Sequence, residues 1–229
     1  MTTVLVTGAN RGIGLEFVWQ YADDGAGVIA CCREPKKADV LNKLAKTNDK
    51  ISIHVLEVSD FDAVAVLGKE LAKQPIDIVI NNAGYYGPKR QSANDMDFED
   101  WTYTFAVNTM APLAVAQAFH ANLKCGSEKK LISITSGLGS TSENGGGFVA
   151  YRASKAALNN VMRSLSVDWR GGGIIAVAMD PGWVKTDMGG KNAPLTVQES
   201  VGGMRSVIAK LKPGDSGKYL KWNGRERGW

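Results

Sequence analysis

Tyr151 and Lys155 stand four residues apart in Tyr151-Arg152-Ala153-Ser154-Lys155, a spacing that puts both on one face of a helix. A free phenol has a pKa of roughly 10 and shuttles protons poorly near neutrality. An ammonium about 4 Å away is worth on the order of 4 kcal/mol at intermediate dielectric, and one pKa unit corresponds to about 1.4 kcal/mol. The pairing would therefore lower the phenol pKa by up to roughly three units, making Tyr151 a usable acid and base near pH 7.

A second cluster, Thr7-Gly8-Ala9-Asn10-Arg11-Gly12-Ile13-Gly14, lies near the start of the chain, after one apolar run and before a helical one. Gly8, Gly12 and Gly14 remove the Cβ atoms that would block a pyrophosphate. The helix that follows offers free N–H groups and a partial positive charge to the same phosphates. A dinucleotide site selective for NAD usually places a carboxylate at the end of the second strand, on the ribose 2′-hydroxyl. Here that strand ends Ala30-Cys31-Cys32-Arg33, with no acid. Arg11 and Arg33 could instead clamp a 2′-phosphate, a bidentate task suited to guanidinium. The reading is NADP(H).

These groups need a scaffold, and the apolar runs supply one. Runs at 3–6, 28–31, 53–58, 76–80, 131–134 and 174–179 read as buried parallel strands. Helical spacing appears at 15–21, 40–45, 63–72, 101–123, 156–167 and 197–211. Strand–helix alternation with right-handed crossovers predicts an α/β fold, a doubly wound, Rossmann-like parallel sheet with helices on both faces. The 229 residues suit a single domain, 1–229, and leave no room for two. Segment 183–196 follows a strand end and contains Gly189, Gly190 and Pro194; it reads as a flap over the substrate.

Composition narrows the partners. Hydrophobic residues make up 44% and charged ones 22%, and a net charge of +4 without a Lys/Arg run argues against nucleic acid. Cys31, Cys32 and Cys125 have neither metal spacing nor a disulfide pattern. No signal peptide is visible after Met1, so a reducing, cytoplasmic setting is expected. The uncharged stretch 101–123 is long enough to span a bilayer, but Asn108, Pro112, Gln117, His120 and Asn122 make a buried helix the better reading. Its uncharged face, with that of 156–167, leaves a homodimer or tetramer open.

Together with Asn81-Asn82-Ala83-Gly84 and Pro181-Gly182, these motifs in this order resemble the short-chain dehydrogenase/reductase family of nicotinamide-dependent oxidoreductases. Gly182-Trp183-Val184-Lys185-Thr186-Asp187-Met188-Gly189-Gly190 and the ending from Ser216 to Trp229 are similar to small carbonyl reductases of the C-factor and sniffer type. The ending is expected to form a last strand. The resemblance implies that Ser136, in Ile134-Thr135-Ser136, polarises the substrate carbonyl; Thr135 is the neighbouring candidate, and strand register favours Ser136. Asn108 takes the fourth catalytic position, bending its helix and holding a water linked to Lys155. For the cofactor it implies Gly8, Asn10, Arg11, Gly12, Ile13 and Gly14 in the first loop, and Glu57 with Val58 near the adenine, Glu57 standing where relatives carry Asp. Asn82, Ala83 and Gly84 belong beside the adenosine ribose. Tyr151 and Lys155 belong beside the nicotinamide ribose, and Pro181, Gly182, Val184 and Thr186 against the carboxamide.

Tyr85, Tyr86, Leu138, Phe148, Trp183 and Met188 are expected to line the pocket, an apolar wall with no cation to seize a carboxylate. One departure is the Gly145–Gly147 run, which lengthens the interval from Ser136 to Tyr151. The expected activity is NADPH-dependent reduction of small hydrophobic aldehydes and ketones. An NADP(H)-binding sensor that signals without turnover is the rival, although such a protein needs none of the four catalytic residues. A sugar epimerase would need a larger C-terminal domain.

Overall fold

The computed structural model describes residues 1–229. Alternation along each strand sorts side chains onto two faces, and each face is buried. Seven parallel strands form one sheet: β1 (Thr3–Thr7), β2 (Gly27–Cys32), β3 (Ile51–Val55), β4 (Ile78–Asn81), β5 (Lys130–Ile134), β6 (Ile175–Asp180) and β7 (Tyr219–Lys221). Their order is β3-β2-β1-β4-β5-β6-β7. Val4 and Val6 pack with Phe17, Tyr21, Met204 and Ile208, from α1 (Gly12–Asp23) and α8 (Val197–Lys210). The short α2 (Asp39–Thr47) adds Leu41 to that layer. Leu5 faces the other way, into a core with Leu67, Phe119, Leu123, Leu158 and Met162. Those residues come from α3 (Phe61–Glu70), α6 (His120–Cys125), α7 (Val149–Asp168) and the residue preceding α6. The doubly wound parallel sheet expected from the alternation is the one observed.

Strand order reverses between β1 and β4, which opens a crevice beyond the carboxyl ends of these two strands. Thr7 and Asn82 tie it together. Thr7 Oγ1 accepts the amides of Asn82 and Ala83 at 3.0 and 3.1 Å, and Asn82 Nδ2 donates to the carbonyls of Thr7 and Gly8 at 2.9 and 3.2 Å.

Several expected elements change on folding. The 101–123 helix is broken into four pieces: α4 (Phe98–Phe105), a π-helical turn at Ala106–Met110, α5 (Ala111–Ala118) and, after Phe119, α6. The π turn centres on Asn108, whose side chain is drawn out to another segment. No helix is long and apolar enough to cross a membrane. α7 begins at Val149, well before the expected 156, after Phe148 turns the chain at φ +47°. The run expected as a strand at 53–58 pairs only through Val55. The ending supplies β7, parallel to β6 at the sheet edge. Segment 183–196 is closed at its base, where the Lys185 amide donates to Leu195 O at 2.9 Å and the Leu195 amide to Trp183 O at 3.3 Å.

Candidate active site

The turn after β1 is built around glycine. Gly8 and Gly12 adopt φ of +65° and +54°. A Cβ on Gly14 would lie 2.2 Å from Gly8 O, so the turn closes only without one. Arg11 caps α1 without a side-chain bond, and no acid stands in the first turn. Leu15 is the first amide of α1 with a backbone acceptor, Arg11 O at 3.2 Å. The amides ahead of it, with the positive end of the helix dipole, face the crevice as an anion site. This is the donor set a pyrophosphate requires.

Asn10 is exposed, and Ile13 packs against the α1-side core. Arg11 and Arg33 are both exposed, as a role toward a phosphate demands. Each meets an acid: Arg11 Nη1 lies 2.6 Å from Asp187 Oδ2, and Arg33 Nη1 3.5 Å from Glu57 Oε2. The first pair joins the glycine loop to the 183–196 segment. Glu57 Oε1 also accepts from the Ser59 hydroxyl and amide, at 2.8 and 3.1 Å. Val58 is buried in the core below.

At the chemistry end, the early start of α7 puts Tyr151 and Lys155 inside one helix, with the Tyr151 amide anchored on Gln91 Oε1 at 3.1 Å. Lys155 Nζ lies 5.8 Å from the Tyr151 ring centroid and donates to Ile134 O at 2.9 Å. A Cβ on Gly84 would sit 3.6 Å from Asn108 Oδ1 and 3.7 Å from Lys155 Nζ, so these two groups converge on Gly84. Ser136 follows β5 and its Oγ accepts the Leu138 amide at 3.2 Å. Thr135 turns away and donates to Asn159 Oδ1 at 2.7 Å, inside the core. Alternation along the strand end thus leaves Ser136, and not Thr135, on the side of Tyr151.

The pair's electrostatics differ from the expectation. Burial pushes the Tyr151 phenol above its ordinary value; the Ser136 side chain lowers it, and Tyr86 and Asp180 raise it further. The same burial brings Lys155 down to about 8. Desolvation disfavours the charged form of each group, and here it is the largest influence on both. Helical spacing revealed proximity but not the dryness of the site.

The expected pocket wall divides. The Tyr86 ring lies tilted at 5.0 Å from Tyr151 and 5.4 Å from Phe148, so both aromatics lie at the site. Tyr85 does not: its hydroxyl donates to Asp100 Oδ2 at 2.8 Å and its ring meets Tyr103 at 5.3 Å. Neighbouring residues of this extended segment point to opposite sides, and Tyr85 takes the side of α4. Leu138 stays beside Ser136. Trp183 and Met188 are exposed, the indole donating to Gly189 O at 2.7 Å across its own loop.

In the turn after β6, Gly182 adopts φ +78°, and its amide donates to Asp180 Oδ1 at 3.0 Å. Val184 is buried, and Thr186 Oγ1 accepts the Gly189 amide at 3.0 Å. Four supporting residues were not anticipated: Gln91, Ser154, Asp180 and Tyr219. Ser154 lies inside the Tyr151–Lys155 motif and Asp180 adjoins Pro181-Gly182; Gln91 and Tyr219 reach the site only through the tertiary fold.

Residues 2–195 match the family model described as short chain dehydrogenase. The chain belongs to the short-chain dehydrogenase family. Within it, the chain is 43% identical to the C-signal of Myxococcus xanthus over 156 residues, 68% of this chain and 93% of that one. It is also similar to the NADPH-bound carbonyl reductase from chicken fatty liver, at 39% identity and a TM-score of 0.92, covering 100% of this chain and 99% of the other. The carbonyl reductase Sniffer of D. melanogaster superimposes with a TM-score of 0.95 at 34% identity, covering 100% of both chains. As a short-chain dehydrogenase, this chain places its motifs where the family fold opens its crevice.

Proposed function

We propose that this chain is an NADPH-dependent carbonyl reductase. The supporting observation is the convergence of Lys155 and Asn108 on Gly84, with the Tyr151 ring 5.8 Å from Lys155 Nζ, just beyond the switch point and beside an uncapped helix N-terminus. The glycine turn, with its free amides, fits a dinucleotide pyrophosphate. Arg33, where an NAD-selective site carries an acid, favours the 2′-phosphate. Similarity to a reductase described as NADPH-bound supports the same choice.

A bound nicotinamide supplies the hydride. The chain's own residues do the rest. Ser136 Oγ and the Tyr151 hydroxyl donate to the substrate oxygen, stabilising the charge that develops there. Burial keeps Tyr151 protonated, so it is loaded to deliver its proton as the alcohol forms. Lys155, anchored on Ile134 O, would hold a ribose hydroxyl of the bound cofactor and stabilises the transient phenolate. The Asn108 side chain is spent on Tyr85 and Ser154, so its part is to fix the Gly84 segment against Lys155. Tyr86 and Phe148 make an aromatic wall suited to neutral, hydrophobic aldehydes and ketones. The flap at 183–196 adds Trp183 and Met188 over the same crevice.

The test is nicotinamide oxidation by purified protein with activated diketones and aromatic aldehydes, comparing NADPH with NADH. The expected result is NADPH-preferring turnover that Tyr151→Phe abolishes; turnover unchanged by that substitution would refute the reading. Similarity to the C-signal favours a second reading, a cofactor-binding signalling protein. Tight NADPH binding with no turnover across the panel would select it.

A further inference from the structure

The loop after Ser136 and the Pro181–Gly182 turn leave neighbouring strands, β5 and β6, and residues 225–229 lie across both. Arg227 is the common element. Its Nε lies 3.0 Å from Asp180 Oδ2, while its Nη1 pairs with Glu143 Oε2. A Cβ on Gly137 would meet the guanidinium carbon at 2.9 Å, so Arg227 rests directly against the residue after Ser136. The Asp180 side chain is 4% exposed, and its other oxygen accepts the Gly182 amide at 3.0 Å. A carboxylate this buried requires a countercharge.

The surrounding bonds run in the same direction. The Arg227 amide donates to Tyr219 O at 2.8 Å, and the Tyr219 hydroxyl donates to Ser136 O. Ser140 Oγ donates to Gly228 O at 2.8 Å, and the Ser142 amide to Trp229 O at 2.9 Å. A forked guanidinium can address two acids on different loops, which the point charge of lysine cannot.

We infer that Arg227 is a positioning residue, a bridge between Asp180 and Glu143 that fixes the Ser136 loop against the Pro181–Gly182 turn. What it positions is the reductase site proposed above. It also has an electrostatic consequence. Asp180 acts on the phenols of Tyr151 and Tyr219, raising both, and Arg227 opposes it at Tyr219. Around Tyr151 the other ionisable neighbours are Tyr86 and Lys155. Without Arg227, the Asp180 charge stands unopposed and the Tyr151 phenol rises further.

The test compares Arg227→Gln, Arg227→Lys and Glu143→Gln. In Arg227→Gln, hydrogen exchange of the full-length protein should quicken by about tenfold or more in residues 138–143 and at Gly182, the loss of a charged contact. The first turn of α1 should keep its wild-type rate. Glu143→Gln should loosen 138–143 alone and leave Gly182 protected. In the alcohol-oxidation direction, the rising limb of the pH profile should move to higher pH in Arg227→Gln and return in Arg227→Lys, which restores the charge. Unchanged exchange in both segments would overturn the bridge, and loosened segments with an unmoved limb would reduce Arg227 to a structural role. Should Arg227→Gln fail to fold, the other two variants decide by the same readouts, equal loosening of both segments in Glu143→Gln counting against the bridge. A wild-type protein that reduces no carbonyl would sink the proposed reaction, while the exchange results would still judge the bridge.

Discussion

Asn108 grips the backbone of Tyr85 from two sides, its Nδ2 donating to the carbonyl at 2.7 Å and its Oδ1 accepting the amide at 2.8 Å. The same Nδ2 donates to Ser154 Oγ at 3.0 Å. One buried amide thus joins the π turn, the segment after β4 and the helix that carries Tyr151 and Lys155.

Asn108→Ala removes the partners of a backbone N–H and C=O that solvent reaches poorly. Each such orphan costs roughly 1–3 kcal/mol, so a loss of about 3 kcal/mol is expected, read as a lower urea midpoint. Asn108→Asp keeps the acceptor but loses both donors and sets a buried carboxylate against the Tyr85 carbonyl, so its midpoint at neutral pH should fall at least as far as that of Asn108→Ala.

Gly12 and Gly14 should respond differently to alanine. A Cβ at Gly14 meets backbone at 2.2 Å, whereas one at Gly12 finds only Thr186 Cγ2 at 3.4 Å. Gly14→Ala should destabilise the fold by about 1–3 kcal/mol and abolish NADPH binding by titration. Gly12→Ala should show only the left-handed backbone penalty, about 1–2 kcal/mol, with binding weakened but measurable.

Arg33→Ala tests cofactor choice. Losing a charge-assisted contact worth roughly 1.5–3 kcal/mol should raise the NADPH Kd by about tenfold or more while leaving NADH unchanged. Equal weakening of both cofactors would remove the 2′-phosphate role. Glu57→Gln, which frees Arg33 from its ion pair, should tighten NADPH.

Lys155 makes stability depend on pH. Its folded pKa of about 8 lies below the ordinary 10.5, so the folded protein binds fewer protons between these values. Stability therefore rises from pH 8 to about 10.5, and below pH 8 the buried charge costs about 3 kcal/mol. Tyr151 opposes this above pH 10, because its raised pKa favours the folded state only while the phenol is protonated. Urea melts of Lys155→Met should show an advantage over wild type at pH 7 that shrinks by pH 10. A constant difference would count against the shift.

The central strands and the alternating helices were legible because a strand buried on both faces declares itself by unbroken apolar runs; β3, at the sheet edge and half exposed, was placed with shifted bounds. The glycine turn was legible because its strain excludes other residues. The π turn was not, since nothing local distinguishes it: Asn108 is pulled out of register by Tyr85, a partner 23 residues away. Tyr85 and Tyr86 were indistinguishable as neighbours, and only the course of the segment sends one to Asp100 and the other to Tyr151. The charge states of Tyr151 and Lys155 depend on how dry the site is, which spacing does not encode. Arg227 and Tyr219 lie in the Ser216–Trp229 ending, whose expected role was only a last strand, and they reach Ser136 only because β7 pairs with β6.

The clasp between Lys185 and Leu195 separates what lies inside the 183–196 loop from what lies outside it. With both ends pinned backbone to backbone, the exposed positions 188, 191 and 192 can change without passing strain to β6 or α8. The loop behaves as an interchangeable cassette on a fixed chassis. Changes at those positions can therefore reshape what the loop presents to the crevice while the proton-handling residues remain where they are.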